Sequence, residues 1–205
     1  MRALLVLGLV VALGCKQKPA DEDAASAVGS QLASDEKSHE QERFDSERRP
    51  EKVIEALAIG PGSRVADIGA GSGLLTVHLA RAVAPNGRVI ATDIDGAVLD
   101  ALAARMKAAG LSQVVERRVV TADKPELEDA TYDAILLAEV DHYFLDPAAW
   151  LRDAAKALKP GGRIVISNRV YHRAQAMAAA KKAGLVLKSE SNPVATHFIA
   201  VFTRP

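Results

Sequence analysis

The chain has 205 residues, with 26 Lys plus Arg against 26 Asp plus Glu, 49% hydrophobic residues and only 4% aromatics. A formal net charge of zero supplies no field for a polyanion, and so few rings supply no platform for stacked bases, so both argue against a nucleic-acid partner. One cysteine rules out a disulfide framework, and the length suits one globular domain with no room for a separate substrate domain.

The chain opens with Met1 and Arg2, an apolar run over residues 3–13, then Gly14 and Cys15. That run is too short to cross a bilayer as a stable helix but has the length of a secretory signal core. A small residue directly before the single cysteine resembles a bacterial lipoprotein processing site, which implies a membrane attachment through a lipidated Cys15. Ala12 and Leu13 depart from that pattern, which prefers leucine and a small residue at those places. An ordinary signal peptide, or an apolar N-terminus left in place, is the alternative. Residues 1–15 are therefore expected to be a leader. Residues 16–41, rich in Ala, Ser, Asp, Glu and Lys, are expected to be a disordered tether with at most a transient helix, and residues 42–205 the folded domain.

Within that domain the periodicity predicts a helix over 48–57 with Pro50 in its first turn, a strand over 64–68, a glycine-rich turn and an apolar helical run over 74–83. A second strand over 88–93, a helix over 96–109 stopped by Gly110 and a third strand over 114–120 follow. Residues 132–138 form a continuous apolar run suited to a strand covered on both faces. A helix over 147–158, a turn at Pro160-Gly161-Gly162, a strand over 163–167, a helix over 174–183 and strands over 185–189 and 197–202 complete the domain. Strand alternating with helix predicts a three-layer α/β fold with a mostly parallel sheet.

The glycine turn reads Asp67-Ile68-Gly69-Ala70-Gly71-Ser72-Gly73. Alternate glycines let the backbone turn sharply and bring a ligand against bare amides. A dinucleotide fingerprint would need glycine or alanine at position 74, where this chain has Leu74, so a nicotinamide oxidoreductase is disfavoured. Asp93 ends the second strand, where an acid can accept hydrogen bonds from a ribose diol; its bland alternative is a turn or helix cap, with Asp95 close by.

With this Asp-x-Gly-x-Gly-x-Gly order, the segment resembles the cofactor loop of class I S-adenosylmethionine-dependent methyltransferases. The resemblance runs from about Arg48 to Phe202 and includes the Leu158-Lys159-Pro160-Gly161-Gly162 turn before the fifth strand. It implies a Rossmann-like fold with a seven-stranded, mostly parallel sheet, its last strand antiparallel, and S-adenosyl-L-methionine as cofactor. The implied cofactor residues are Asp67, Gly69, Ala70, Gly71, Gly73, Asp93 and Ile94, with Asp123 near the adenine and Glu139 at the end of the fourth strand. The helix before the first strand would cover the cofactor, with Phe44 or Arg49 touching it. No Asn-Pro-Pro-Tyr-like segment follows the fourth strand, so the expected acceptor is a small molecule and not a nucleic-acid base.

Ligands of parallel sheets sit beyond the carboxyl ends of the strands, which directs attention to residues 139–144. There His142 is the candidate general base, Asp141 would orient it or a substrate amine, and Tyr143 would wall the pocket. The bland alternative has His142 capping the next helix and Tyr143 with Phe144 in the core. His172 is a second candidate for the acceptor pocket, whereas His39, His78 and His197 have weaker claims. No pair has metal-ligand spacing, so no metal is expected. One tension stands: S-adenosylmethionine is made in the cytoplasm, whereas a lipoprotein domain lies outside it. A leader that anchors the domain on the cytoplasmic face, a route by which the cofactor reaches the outer compartment, or loss of catalysis would each resolve it, and the last keeps a non-catalytic nucleoside- or ligand-binding module of the same fold as the alternative.

Overall fold

The computed structural model describes residues 35, 36 and 38–205, so the leader and most of the expected tether, Cys15 included, lie outside the described residues. Residues 35, 36 and 38–48 are helical, which takes in the end of the segment read as a tether. Residues 41–205 form one unit by themselves, and the fold below is theirs.

Arg49 is left-handed, with φ 50°, and separates the helical residues 41–48 from α1 (Pro50–Leu57). The expected helix from residue 48 is therefore two pieces. Proline disfavours the right-handed helical conformation in the residue before it and is itself well suited to a helix's first position. The chain continues through β1 (Arg64–Ile68), α2 (Thr76–Val83), β2 (Arg88–Asp93), α3 (Gly96–Ala108), β3 (Val115–Val119) and β4 (Tyr132–Ala138). After a short 3-10 turn, Asp141–Tyr143, come α4 (Pro147–Lys156), β5 (Leu158–Arg169), a second 3-10 turn, Val170–His172, α5 (Arg173–Lys182), β6 (Val186–Val194) and β7 (His197–Thr203).

These strands form a seven-stranded sheet in the order β3-β2-β1-β4-β5-β7-β6. The first five run parallel, and β7 runs antiparallel to both β5 and β6. The fold class expected from the sequence is thus the one observed. Successive side chains of a strand point to opposite faces, and both faces here are covered. Val65, Ala134, Leu136 and Val165 pack with Leu57, Leu79 and Leu102 from α1, α2 and α3. Their neighbours Ala66, Ile135, Leu137 and Ile164 pack with Trp150 and Leu151 of α4 and Ala180 of α5. That two-sided burial is why β4 reads as an unbroken apolar run.

The strand expected over 163–167 is longer at both ends, because Leu158 already pairs with Tyr132 before the register shifts to Ala134 and Arg163. The residues between loop out, with Gly161 at φ 78° and Lys159 Nζ donating to Asp133 Oδ2 at 2.8 Å. The strand order reverses between β1 and β4, and in open parallel sheets that switch point opens a crevice at the strands' carboxyl ends. β1 delivers the glycine loop there, β2 Asp93, β4 Glu139 and β5 Asn168.

Candidate active site

The three glycines of the loop are all left-handed, yet they serve different purposes. A Cβ on Gly69 would lie 2.7 Å from Val140 Cγ2, and one on Gly73 would lie 2.8 Å from Leu102 Cγ, so both are glycine because protein presses on them. Gly71, at φ +56°, has nothing within 4 Å of that position. Its backbone N–H donates to Asp93 Oδ2 at 2.9 Å, and Ala70 N donates to Thr92 O at 2.9 Å, so the loop is tied to the end of β2. Asp93 Oδ1 also accepts from Asp95 N at 3.1 Å. The cap of α3 is Asp95, which accepts from Ala97 N at 2.8 Å, so the cap alternative weighed for Asp93 belongs to its neighbour.

Two cavities of about 260 Å³ each adjoin this loop. The first is walled by Ile68, Thr92, Asp93, Ile94, Val120 and Val140 among others. The second lies between the glycine loop and the helical residues 41–48, with Phe44, Arg48, Asp67 and Gly71 in its lining. Gly69 and Glu139 line both. Of the two residues expected to cover the cofactor, Phe44 is in place. Arg49 instead bonds Glu51 at 2.5 Å, and Arg48 stands at the cavity with its guanidinium 5.7 Å from the Phe44 ring centre. Asp123 is exposed and is not among the lining residues, although Ala122 and Lys124 on either side of it are.

Asp67 is buried at the end of β1 and accepts from Thr76 Oγ1 at 2.7 Å. Burial pushes its carboxyl up to about 7, against the opposing Thr76 hydrogen bond and with help from the negative charge of Asp93. Glu139, left-handed at φ 54°, is a junction of charge. Its Oε1 meets Arg48 Nη1 at 3.0 Å, Arg169 Nε at 3.3 Å and His197 Nε2 at 2.7 Å. Burial works to raise its carboxyl, but the His197 bond and the two arginines outweigh it and hold it below the usual range. His197 is buried, with Nδ1 2.8 Å from Thr196 Oγ1. A histidine that merely begins a strand thus supports Glu139 from beneath.

The loop after β4 is held by Asn168, the buried residue near the end of β5. Its Oδ1 accepts from Arg169 N at 2.7 Å, which assigns Nδ2 as the atom facing Asp141 Oδ1 at 2.7 Å and His142 Nδ1 at 3.1 Å. Donation from Asn168 occupies the Nδ1 lone pair, so the neutral ring carries its proton on Nε2. Burial and then the charge of His172 hold His142 below the usual histidine range, while burial raises Asp141. In that tautomer Nε2 of His142 is a hydrogen-bond donor, and Asp141, bonded to Asn168, acts on the ring through its charge. Tyr143 lines the first cavity, whereas His142 does not and stacks on His172 at 4.0 Å. The bland alternative also fails in part, since Asp146 caps α4 and only Phe144 is buried, against Trp150. Asn168 escaped the sequence reading, although a polar residue closing an apolar strand at its carboxyl end is a usable signal.

Among the described residues, no group of three His, Cys, Asp or Glu side chains is placed to hold a metal ion. The residues fit an adenosine-bearing cofactor well. Each Asp93 oxygen holds one N–H and keeps lone-pair capacity for a ribose diol, the cavity beside it has apolar walls, and the Gly71 backbone faces open space.

The doubly wound sheet, the Asp-x-Gly-x-Gly-x-Gly loop and the acid ending β2 together resemble a class I S-adenosylmethionine-dependent methyltransferase domain. Residues 66–164 match the family model of a methyltransferase domain. The chain is 35% identical over 116 residues to the ubiquinone/menaquinone biosynthesis C-methyltransferase UbiE of Idiomarina loihiensis, a stretch covering 56% of this chain and 45% of that protein. It therefore spans less than half the length of the curated relative. Its fold is similar to that of a SAM dependent methyltransferase from Aquifex aeolicus, with TM-score 0.70 and 22% identity over 80% of this chain and 96% of that one. It is similar also to geranyl diphosphate C-methyltransferase from Streptomyces coelicolor A3(2), with TM-score 0.67 and 17% identity over 80% of each chain. A [4+2]-cyclase, SpnF, shares the fold at TM-score 0.67, 16% identity, 77% of this chain and 81% of its own. Fold alone therefore does not name a reaction.

Proposed function

We propose that this domain transfers a methyl group from S-adenosylmethionine to a small-molecule acceptor held between the loops that follow β4 and β5. The observation that carries the reading is the meeting of the two cavities at Gly69 and Glu139, directly beyond the switch point. Asp93 and Gly71 would hold the nucleoside half, with Phe44, Arg48 and Asp67 around the amino-acid half. S-adenosylmethionine supplies a methyl on a sulfonium, which is already a strong electrophile. The protein's task is therefore chiefly to align an acceptor atom, and a base is needed only where that atom must lose a proton. The names of the Idiomarina and Streptomyces coelicolor relatives, both C-methyltransferases, support an acceptor of small-molecule size.

Calorimetry with S-adenosylmethionine and S-adenosylhomocysteine, followed by release of S-adenosylhomocysteine on a panel of small acceptors, tests this function. Binding of both with turnover on at least one acceptor supports it. Binding of neither, or of a nicotinamide dinucleotide in their place, removes it.

The leader supports an exported domain tethered through a lipidated Cys15. Mass spectrometry of the mature N-terminus in the native host decides the point. A diacylglyceryl-modified Cys15 is expected, whereas a free Met1 or cleavage well past Cys15 counts against it.

A further inference from the structure

Beside the cofactor cavities the loops after β4 and β5 build a continuous row of four rings. Tyr143 tilts against His142 at 4.1 Å, His142 stacks on His172 at 4.0 Å and 13°, and His172 meets Tyr171 at 4.3 Å. The end members are 75% and 70% exposed, and the aliphatic residues beside them, Leu145 and Val170, are exposed as well. In a chain with so few aromatics, this is a concentration of ring surface left open to solvent, and Tyr143 joins it to the first cavity. His142 and His172 cover each other's faces, so the open π-faces are those of the end members, Tyr143 and Tyr171, where another planar system can sit in offset or tilted contact.

The charge next to this row is positive. Arg169, whose side chain is 54% exposed, immediately precedes Val170 and Tyr171. Among the described residues, Nε is the one side-chain atom of Arg169 with a protein acceptor, namely Glu139 Oε1. Its two terminal nitrogens form the planar fork that matches a carboxylate. Glu139 cannot neutralise it alone, since Arg48 and His197 share the same oxygen. Asp141, an acid of the loop after β4, is buried and turned to Asn168.

We infer that the acceptor is a planar anion, an aromatic or conjugated small molecule bearing a carboxylate or comparable oxyanion, lying on the Tyr143–His142–His172–Tyr171 row with its charge on Arg169. This inference rests on the methyltransferase reading and narrows it.

The test is titration of the S-adenosylhomocysteine-saturated protein with 4-hydroxybenzoate, 4-hydroxybenzamide, tyramine and cyclohexanecarboxylate. The expected order has 4-hydroxybenzoate binding about tenfold or more tighter than each of the others, the scale of one charge-assisted hydrogen bond. Arg169→Gln should erase the advantage over the amide, Arg169→Lys should restore part of it, and Tyr171→Ala should erase the advantage over the cyclohexane acid. Equal or tighter binding of the amide or the amine overturns the inference. So does an advantage that survives Arg169→Gln, or no binding of any probe while S-adenosylhomocysteine still binds. Failure of S-adenosylhomocysteine itself to bind is a different result: it removes the methyltransferase reading, and this inference with it.

Discussion

Gly71, in the loop after β1, and Asp93, at the end of β2, are 22 positions apart in the chain and are joined by a 2.9 Å hydrogen bond from the Gly71 backbone N–H to Asp93 Oδ2. The bond couples the two halves of the proposed cofactor site. The glycine loop is tied to the same carboxylate that would receive the ribose, so loop shape and ligand recognition would share one group.

That coupling separates the glycines experimentally. Gly71→Ala should leave a folded domain at a cost of about 1 to 2 kcal/mol for its left-handed backbone, because its Cβ meets no protein atom, and should abolish cofactor binding because the methyl would enter the proposed ligand space. Gly73→Ala should lower the melting temperature instead, since its Cβ would lie 2.8 Å from Leu102 Cγ. Thermal denaturation and calorimetry on the two variants check the contrast, and the reverse pattern would mean that Gly71 is structural.

Asp93→Ala should weaken S-adenosylhomocysteine by about 1.5 to 3 kcal/mol, the scale of hydrogen bonds to a charged acceptor. The backbone N–H groups of Gly71 and Asp95 lose their partner in the same variant. Asp95→Ala, which removes a helix cap, should cost about 1 kcal/mol of stability. Its affinity for S-adenosylhomocysteine, titrated in parallel, should hardly change.

Asp67 makes stability depend on pH in an unusual direction for a carboxylate. Its folded value, about 7, stands above the ordinary 3.8, so the folded state holds the proton more tightly than the unfolded chain. The stabilisation from this group is complete below the ordinary value and is lost as pH rises through the folded one. Cofactor-free protein should therefore melt at a lower temperature as pH rises from about 4 to 8. Asp67→Asn should flatten that dependence, and an unchanged slope in the variant would assign the effect elsewhere.

His142→Ala should lower kcat by about tenfold, the worth of one hydrogen bond, if the ring donates from Nε2. Removal of a general base would cost about a hundredfold or more and would abolish an acid limb in the pH profile. Asn168→Leu tests the other side of the contact. It leaves Asp141 buried without its partner and should destabilise the domain by about 1 to 3 kcal/mol. A hundredfold fall in His142→Ala, with loss of the acid limb, would restore the base.

Much of this was legible along the chain. Alternating apolar and glycine-punctuated segments announced a parallel α/β sheet, because strands buried on both faces need continuous apolar runs, as in residues 132–138. The acid at the end of β2 was legible because its use depends on position along a strand. The break at Arg49 is written in Pro50, because proline disfavours the helical conformation in the residue before it, although the apolar period alone carries the helix back to residue 48. Asp123 stood at a plausible spacing, yet spacing cannot say which side of an exposed turn faces a cavity.

The sequence by itself determined the layers of the sheet, because periodicity and glycine spacing are local properties of the backbone, and the resemblance of its glycine loop implied the class of cofactor. Only the tertiary structure decided that Gly71 faces open space and Gly73 faces Leu102, that His197 and two arginines from distant elements converge on Glu139, and that Asn168 Nδ2 meets His142 Nδ1. Those relationships join residues far apart in the chain through contacts of about 3 Å. Nothing in the local order of residues encodes such distances until the strands are laid side by side.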